Sequence, residues 1–219
     1  MIDFNDLHFK GLCHDLMMLD RNLQLFNAIK NNWSQKHLLD SSDSQWLIYL
    51  KDTAVQQSVL YLGRLYDSVS NNGKYTTRCV REIVKDIECT FNFEVLPKKH
   101  LDNFIDTHRL AFDTINSESL STFIDDLRIF LKKQFDPKIP EEFILKRVIK
   151  IRNKIVAHND AFEDEVSIFF EDALKLQKVA KALLDFINKF VSEKDSYIFS
   201  NHENLMKIQV ENIFKRSTQ

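Results

Sequence analysis

Apolar residues recur every three or four positions along almost the whole chain, the period of helices that bury one face. The first run predicts a helix over about 5–31, with Leu12, Leu16, Leu19, Leu23 and Phe26 on one side. Ser41-Ser42-Asp43-Ser44 predicts a loop and an N-cap. A long second helix follows to about residue 70, carrying Leu47, Leu50, Ala54, Tyr61, Leu62, Leu65 and Val69 on its core stripe. Asn71-Asn72-Gly73 ends it, and Thr76 or Thr77 can cap a short helix through Val80, Ile83, Val84 and Ile87. Residues 90–95 alternate as a strand would, but one strand has no partner, so the segment reads as a loop leading to Pro97. Further helices are expected over 98–115 and 119–133. Pro137 and Pro140 then break the chain, and Pro140 suits a first helical turn.

The next helix has Ile144, Val148, Ile151 and Ile155 as its stripe. A long one over about 165–193 follows, with Val166, Phe169, Phe170, Ala173, Leu176, Ala180, Leu183, Leu184, Ile187 and Val191 on its apolar face. An amphipathic segment over 197–214 closes the chain. There is no internal repeat, no low-complexity tract and no linker long enough to separate domains. The pattern predicts an all-α fold: a single helical bundle of about six to eight helices filling 1–219. Its core would span 43–193, with the N- and C-terminal helices packed on it.

Composition supports this. Only three Gly and three Pro punctuate 219 residues, so connections are few and helices long. Eighteen Phe point to an aromatic core or a large self-association surface. Cys13, Cys79 and Cys89 are odd in number and lack CxxC spacing, as reduced thiols of a cytoplasmic protein would be. No apolar run approaches the ~20 residues of a membrane span, and the acidic start is unlike a signal peptide. A net charge of −2 excludes a globally basic nucleic-acid binder, so any affinity for RNA has to be local.

Charge is concentrated in one place. Between Lys132 and Lys154 stand eight cations (Lys132, Lys133, Lys138, Lys146, Arg147, Lys150, Arg152, Lys154) against Asp136, Glu141 and Glu142, a local +5 in a chain of −2. Lys146, Lys150 and Lys154 fall four apart and share a helix face, which suits the phosphates of an RNA backbone. The acidic residues Asp160, Glu163, Asp164 and Glu165 follow directly. By itself this is also what the solvated side of an ordinary helix looks like.

The basic segment runs into Ile151-Arg152-Asn153-Lys154-Ile155-Val156-Ala157-His158-Asn159-Asp160. A guanidinium, a carboxamide and an imidazole within seven residues have the chemistry to hold a phosphodiester and move its protons. On an ideal helix Arg152 and His158 lie about 120° apart in rotation and ~9 Å along the axis. One straight helix therefore does not bring both onto one phosphate. Either the helix ends near Ala157 and the chain turns at Asn159-Asp160, or another molecule completes the site. His158 shares a face with Ile151 and Ile155, so a core histidine beside a carboxylate-paired Arg is the plainer alternative.

The string resembles the Arg-polar-x4-His signature of the HEPN superfamily, in which Arg, a polar residue, a short spacer and His follow one another. Arg152, Asn153 and His158 match it, and Arg-Asn-Lys-x-x-Ala-His-x-Asp is similar to the AbiU-like (abortive infection) branch. A second likeness runs from Val59 to Asp67, ending in Arg64-Leu65-Tyr66-Asp67, with Tyr75-Thr76-Thr77 opening the next helix. The two matches cover about 59–160. The resemblance implies a HEPN-like helical bundle that dimerises so that two motifs face each other. It further implies a metal-independent endoribonuclease acting as a toxin or in anti-phage abortive infection.

On that footing His158 is the acid/base, Arg152 the electrostatic clamp, Asn153 an orienting group, and Lys146, Lys150 and Lys154 the RNA-binding face. RNA is the substrate, the homodimer the acting species, and an antitoxin or defence-system protein a further partner; neither metal nor cofactor is expected. Some HEPN toxins are controlled by modification of a Tyr two positions after the His, where this chain has Asp160. The alternative is a HEPN-like helical module, without catalysis, for dimerisation or partner binding.

Other constellations point nowhere specific. The remaining histidines (His8, His14, His37, His100, His108 and His202) form no HxxxH pair and join no cysteine at ligand spacing, so zinc is not expected. Neither GxGxxG nor GxxxxGK[ST] occurs. Asp125-Asp126 and Glu141-Glu142 read as solvated helix surface, and the Phe-rich stretches as core.

Overall fold

The computed structural model describes residues 11–66, 79–90, 103–104, 106–108, 124–129, 132, 144–158, 163–191 and 200–216. All the secondary structure among them is helical, with no strand. We label the helices α1 (Leu12–Asn32), α2 (Ser41–Tyr66), α3 (Val80–Thr90), α4 (Ile144–His158), α5 (Glu163–Phe186) and α6 (Ser200–Arg216). A 3-10 turn, Trp33–Leu38, follows α1, and a π-helical turn, Ile187–Val191, extends α5. Residues 103–104, 106–108 and 124–129 are also helical, inside the two helices expected there.

Most positions of the predicted stripes are buried, whereas Leu50, Phe170 and Val191 are partly covered and pack against the core. Leu12, Leu16, Leu19, Leu23 and Phe26 are all buried on α1, and Leu47, Ala54, Tyr61, Leu62 and Leu65 on α2. Each such leucine, withdrawn from water, stabilises the fold by about 2 kcal/mol. Val80, Ile83, Val84 and Ile87 do the same for α3. With the buried faces of α4 and α5, they form one continuous apolar cluster that also takes in Phe104, Ile124 and Leu127. Phe104 meets Phe186 and Phe190 edge-to-face, at 6.1 and 5.5 Å between ring centres, so this share of the phenylalanine content is core. A smaller cluster seats Val210 and Phe214 of α6 on Ala28, Ile29 and Leu47.

Two local expectations shift. The cap of α2 lies one residue earlier than the Ser41–Ser44 stretch suggests: Asp40 Oδ1 accepts from the Asp43 amide at 2.7 Å. On α4 the deeply buried stripe is Leu145, Val148 and Ile151, whereas Ile144 is only partly covered and packs at the rim of the cluster. The expected caps at Thr76 and Thr77, the stop at 71–73, the loop over 90–95, Val69 and the Pro140 turn lie outside the described residues, as do the side chains of Ile155, Val166 and Phe169. At Thr90 itself the chain is still helical, as the last residue of α3.

Side-chain links set the helix directions. Asp15 pairs with Arg64 while Ala28 and Ile29 pack near Leu47, so α1 and α2 run antiparallel. Phe26 packs on Phe170, whereas Asp20 accepts from Gln177 and Lys181, so α5 is antiparallel to α1 as well. Only residues 159–162 join α4 to α5, and Arg147 meets Asp172 across them, which makes an antiparallel pair. The C-terminal end of α4, with His158, therefore lies at the same end of the bundle as the start of α2 and the end of α1.

Candidate functional site

Helix α4 is positioned by two kinds of contact. Its apolar residues Leu145, Val148 and Ile151 enter the core, and it packs between α2 and α5. Arg147 adds a two-point ion pair: its Nε and one terminal nitrogen donate to the two oxygens of Asp172 at 2.6 and 2.7 Å. The Asp172 side chain is 4% exposed and the Arg147 side chain 32% exposed. A planar guanidinium gripping a buried carboxylate at two points restricts both the rotation and the axial position of α4.

This changes the reading of the basic segment. Arg147 counts towards the local positive charge in the sequence, but its charge is set against Asp172 on α5. Lys150 is exposed and Lys146 partly exposed. The backbone at Lys154 is helical, and its side chain lies outside the described residues.

Of the Arg-Asn-His motif, Arg152 and Asn153 meet directly. Nε and a terminal nitrogen of Arg152 donate to Asn153 Oδ1 at 3.4 and 3.3 Å, a long contact in which the carboxamide oxygen sits in the guanidinium fork. Asn153 is exposed and Arg152 partly exposed. Helix α4 continues through His158, its last residue, so the helical relation of about 120° and ~9 Å between Arg152 and His158 applies. The imidazole itself lies outside the described residues.

The likeness upstream of the motif falls at the end of α2. Tyr66 is buried, and its hydroxyl donates to the Leu176 carbonyl of α5 at 2.6 Å. Burial first, and the nearby Cys79 second, push that phenol well above its ordinary range, so it is a permanent donor. Tyr66 is a tie between helices rather than an acid. Asp67 lies outside the described residues.

Sequence reasoning missed several polar contacts because their partners are far apart along the chain. His108 Nε2 lies 2.8 Å from Asp185 Oδ2, and Lys189 reaches the same oxygen at 2.9 Å. Burial acts to raise the Asp185 pKa, but the hydrogen bonds of His108 and Lys189 outweigh it and leave the carboxyl lower than usual. Asp126 is not the solvated surface residue its Asp125 neighbour suggests. It is partly covered, and burial first and then Asp125 raise its pKa. All three cysteines are free thiols, and burial raises Cys13 to about 11. Among the described residues, no group of three or more His, Cys, Asp or Glu is placed to hold a metal ion, and no helix is long and apolar enough to cross a membrane.

Set against family descriptions, curated proteins and solved structures, the chain gives no match in any of the three.

Proposed function

We propose that this protein is a metal-independent endoribonuclease of HEPN type, with an active site shared between two copies of the chain. The observation that carries this reading is the continuity of α4 through His158, with Arg152 and Asn153 together one and a half turns earlier. On an ideal helix two positions six residues apart stand about 120° apart in rotation, too far round for one chain to grip a single phosphate with both. A two-fold axis near the end of α4 overcomes this, because each chain then offers the group that the other lacks.

Cleavage without a metal requires a base to take the 2′-hydroxyl proton and an acid to protonate the leaving 5′-oxygen. Two copies of His158 supply both, exchanging a proton with the 2′-oxygen and the 5′-oxygen respectively. The 2′-oxygen attacks phosphorus, the bond to the 5′-oxygen breaks, and a 2′,3′-cyclic phosphate remains. Arg152 stabilises the charge that builds on the non-bridging oxygens. Asn153, held beside Arg152, orients the phosphate, and Lys146, Lys150 and Lys154 bind neighbouring phosphates. A role as a toxin or in abortive infection, with an antitoxin or defence-system partner, follows from the same resemblance.

The test is incubation of the purified protein with total RNA in EDTA. Cyclic-phosphate ends on the products, lost in His158→Ala while the molecular mass of the assembly is retained, are the expected result. An intact RNA pool, or equal cleavage by that variant, overturns the reading. In that event the second reading gains: a non-catalytic helical module that binds a partner. What favours it is a stacked, exposed Trp46–Tyr49 pair (5.5 Å between rings) on α2 at the His158 end of the bundle.

A further inference from the structure

Apolar burial alone does not settle how α4 is turned about its own axis. Ile144, Leu145, Val148, Ile149, Ile151 and Ile155 are all apolar, and on an ideal helix they occupy an arc of roughly 160°. The core takes only part of that arc: Leu145, Val148 and Ile151 are deeply buried, whereas Ile144 and Ile149 are partly covered. The other apolar stripe, Ile144, Val148, Ile151 and Ile155, is centred about 30° away on the same helix. Hydrophobic contact is not directional, so it chooses weakly between two stripes that overlap this much.

We infer that the ion pair of Arg147 with Asp172 sets the rotation of α4 and so aims Arg152 and Asn153, which makes both members of the pair positioning residues for the site proposed on that helix. The two bonds from the Arg147 guanidinium, 2.6 and 2.7 Å long, run to the two oxygens of one carboxylate. Paired bonds of this kind resist turning as well as sliding. A lysine in the same place keeps the charge as a single point, about which the helix is free to turn. Arg152 stands five residues further on, about 140° round and ~7.5 Å along the axis. At the ~5–6 Å radius of a helix with its side chains, a turn of 30° displaces a group by about 3 Å. A misplacement of about 1 Å in a reacting assembly already costs on the order of a hundredfold in rate.

Asp172 is suited to this task because it cannot follow a moving partner. It is 4% exposed and stands on α5 between Ala173 and the rest of the buried face of that helix. Asn153, by contrast, is exposed, so its direction is set chiefly by the helix that carries it. The consequence for catalysis rests on the nuclease reading; the control of rotation does not.

The experiment compares the full chain with Arg147→Lys by NMR of the side-chain amides, with folding checked by circular dichroism. Asn153→Ser identifies the Asn153 signal. Asn22 and Asn32, whose amides donate to the Met18 and Ala28 carbonyls of α1 at 2.7 and 2.9 Å, serve as internal references. We expect the Asn153 signal to shift or broaden in Arg147→Lys while the two references stay in place. Asp172→Glu, which keeps both charges but moves the carboxylate by one methylene, should disturb the same signal. In RNA cleavage, Arg147→Lys should lower kcat by about tenfold or more and leave KM within about twofold. An unmoved Asn153 signal, or equal movement of all three, overturns the inference, as does an unchanged kcat. Failure of both conservative variants to fold makes the pair a determinant of the fold alone and overturns it too. If the wild type cleaves no RNA, the nuclease reading falls, and the amide signals still decide whether the pair sets the rotation of α4.

Discussion

Arg147 and Arg152 stand five residues apart on one helix and look interchangeable in the sequence, yet their surroundings differ. Arg147 is locked at two points to a carboxylate that is almost fully buried; Arg152 is partly exposed, and one of its contacts is a long one to the Asn that follows it. Removing one member of a buried pair leaves the other without its counter-charge. Arg147→Met should therefore destabilise the fold by about 3 kcal/mol, at the low end for buried pairs because the arginine is one-third exposed. Chemical denaturation reads this directly, and a loss below about 1 kcal/mol contradicts the role given to the pair. Arg152→Ala, at a partly exposed residue, should cost less stability than Arg147→Met in the same denaturation measurement, and on the proposed reading should reduce RNA cleavage.

Asp185 belongs at the same scale and carries a pH signature. Its carboxyl is held below its unfolded value of 3.8, so its contribution to stability is present above that value and is lost as pH falls through the lower folded value. The stability gap between wild type and Asp185→Asn should be constant near neutrality and shrink below about pH 4, seen in denaturation midpoints measured across that range. A gap that widens on acidification contradicts the assignment. Neither partnership was legible beforehand: Arg147 reaches 25 residues to Asp172, and His108 reaches 77 to Asp185. Single-chain periodicity carries no information about which charges meet across helices.

At the scale of elements, periodicity served well where a helix buries one clean stripe. The faces named for α1 and α3, and most of the one named for α2, are the buried ones because four-residue apolar spacing leaves a helix only one way to dry itself; Leu50 is partly covered. It erred where two apolar residues adjoin. Ile144 and Leu145 compete for the core at the start of α4, and packing against α2 and α5 selected Leu145. Capping was misjudged by one residue for a similar reason, since Asp40, Ser41, Ser42, Asp43 and Ser44 are all competent caps in sequence. The Asp40 carboxylate satisfies an amide in the first turn of α2, so Asp40→Ala should cost about 1 kcal/mol, and Ser42→Ala close to nothing. Equal effects of the two changes in thermal denaturation would place the cap elsewhere.

For the whole molecule, the helical class was readable from scarce Gly and Pro with long apolar periods, and the described residues are helical throughout their secondary structure. What no linear pattern shows is which helix ends come together. The antiparallel course of α1 with α2 and α5, and of α4 with α5, puts His158 beside the start of α2 and leaves His14 and Arg64 at the far end. Asp15 is met by His14 beside it in sequence and by Arg64 from another helix, 49 residues further on. The proposed nuclease centre has the same character on a larger scale, since one chain holds half of what the reaction needs.

That dependence on a second copy is the most testable feature of the account. Wild-type protein is unfolded and refolded together with increasing fractions of His158→Ala, and cleavage of RNA in EDTA is followed at constant total protein. If every active centre takes one imidazole from each chain, activity follows the square of the wild-type fraction, so an equal mixture retains about one quarter. Activity that falls in simple proportion, with about one half remaining, would show each chain working alone and contradict the shared site.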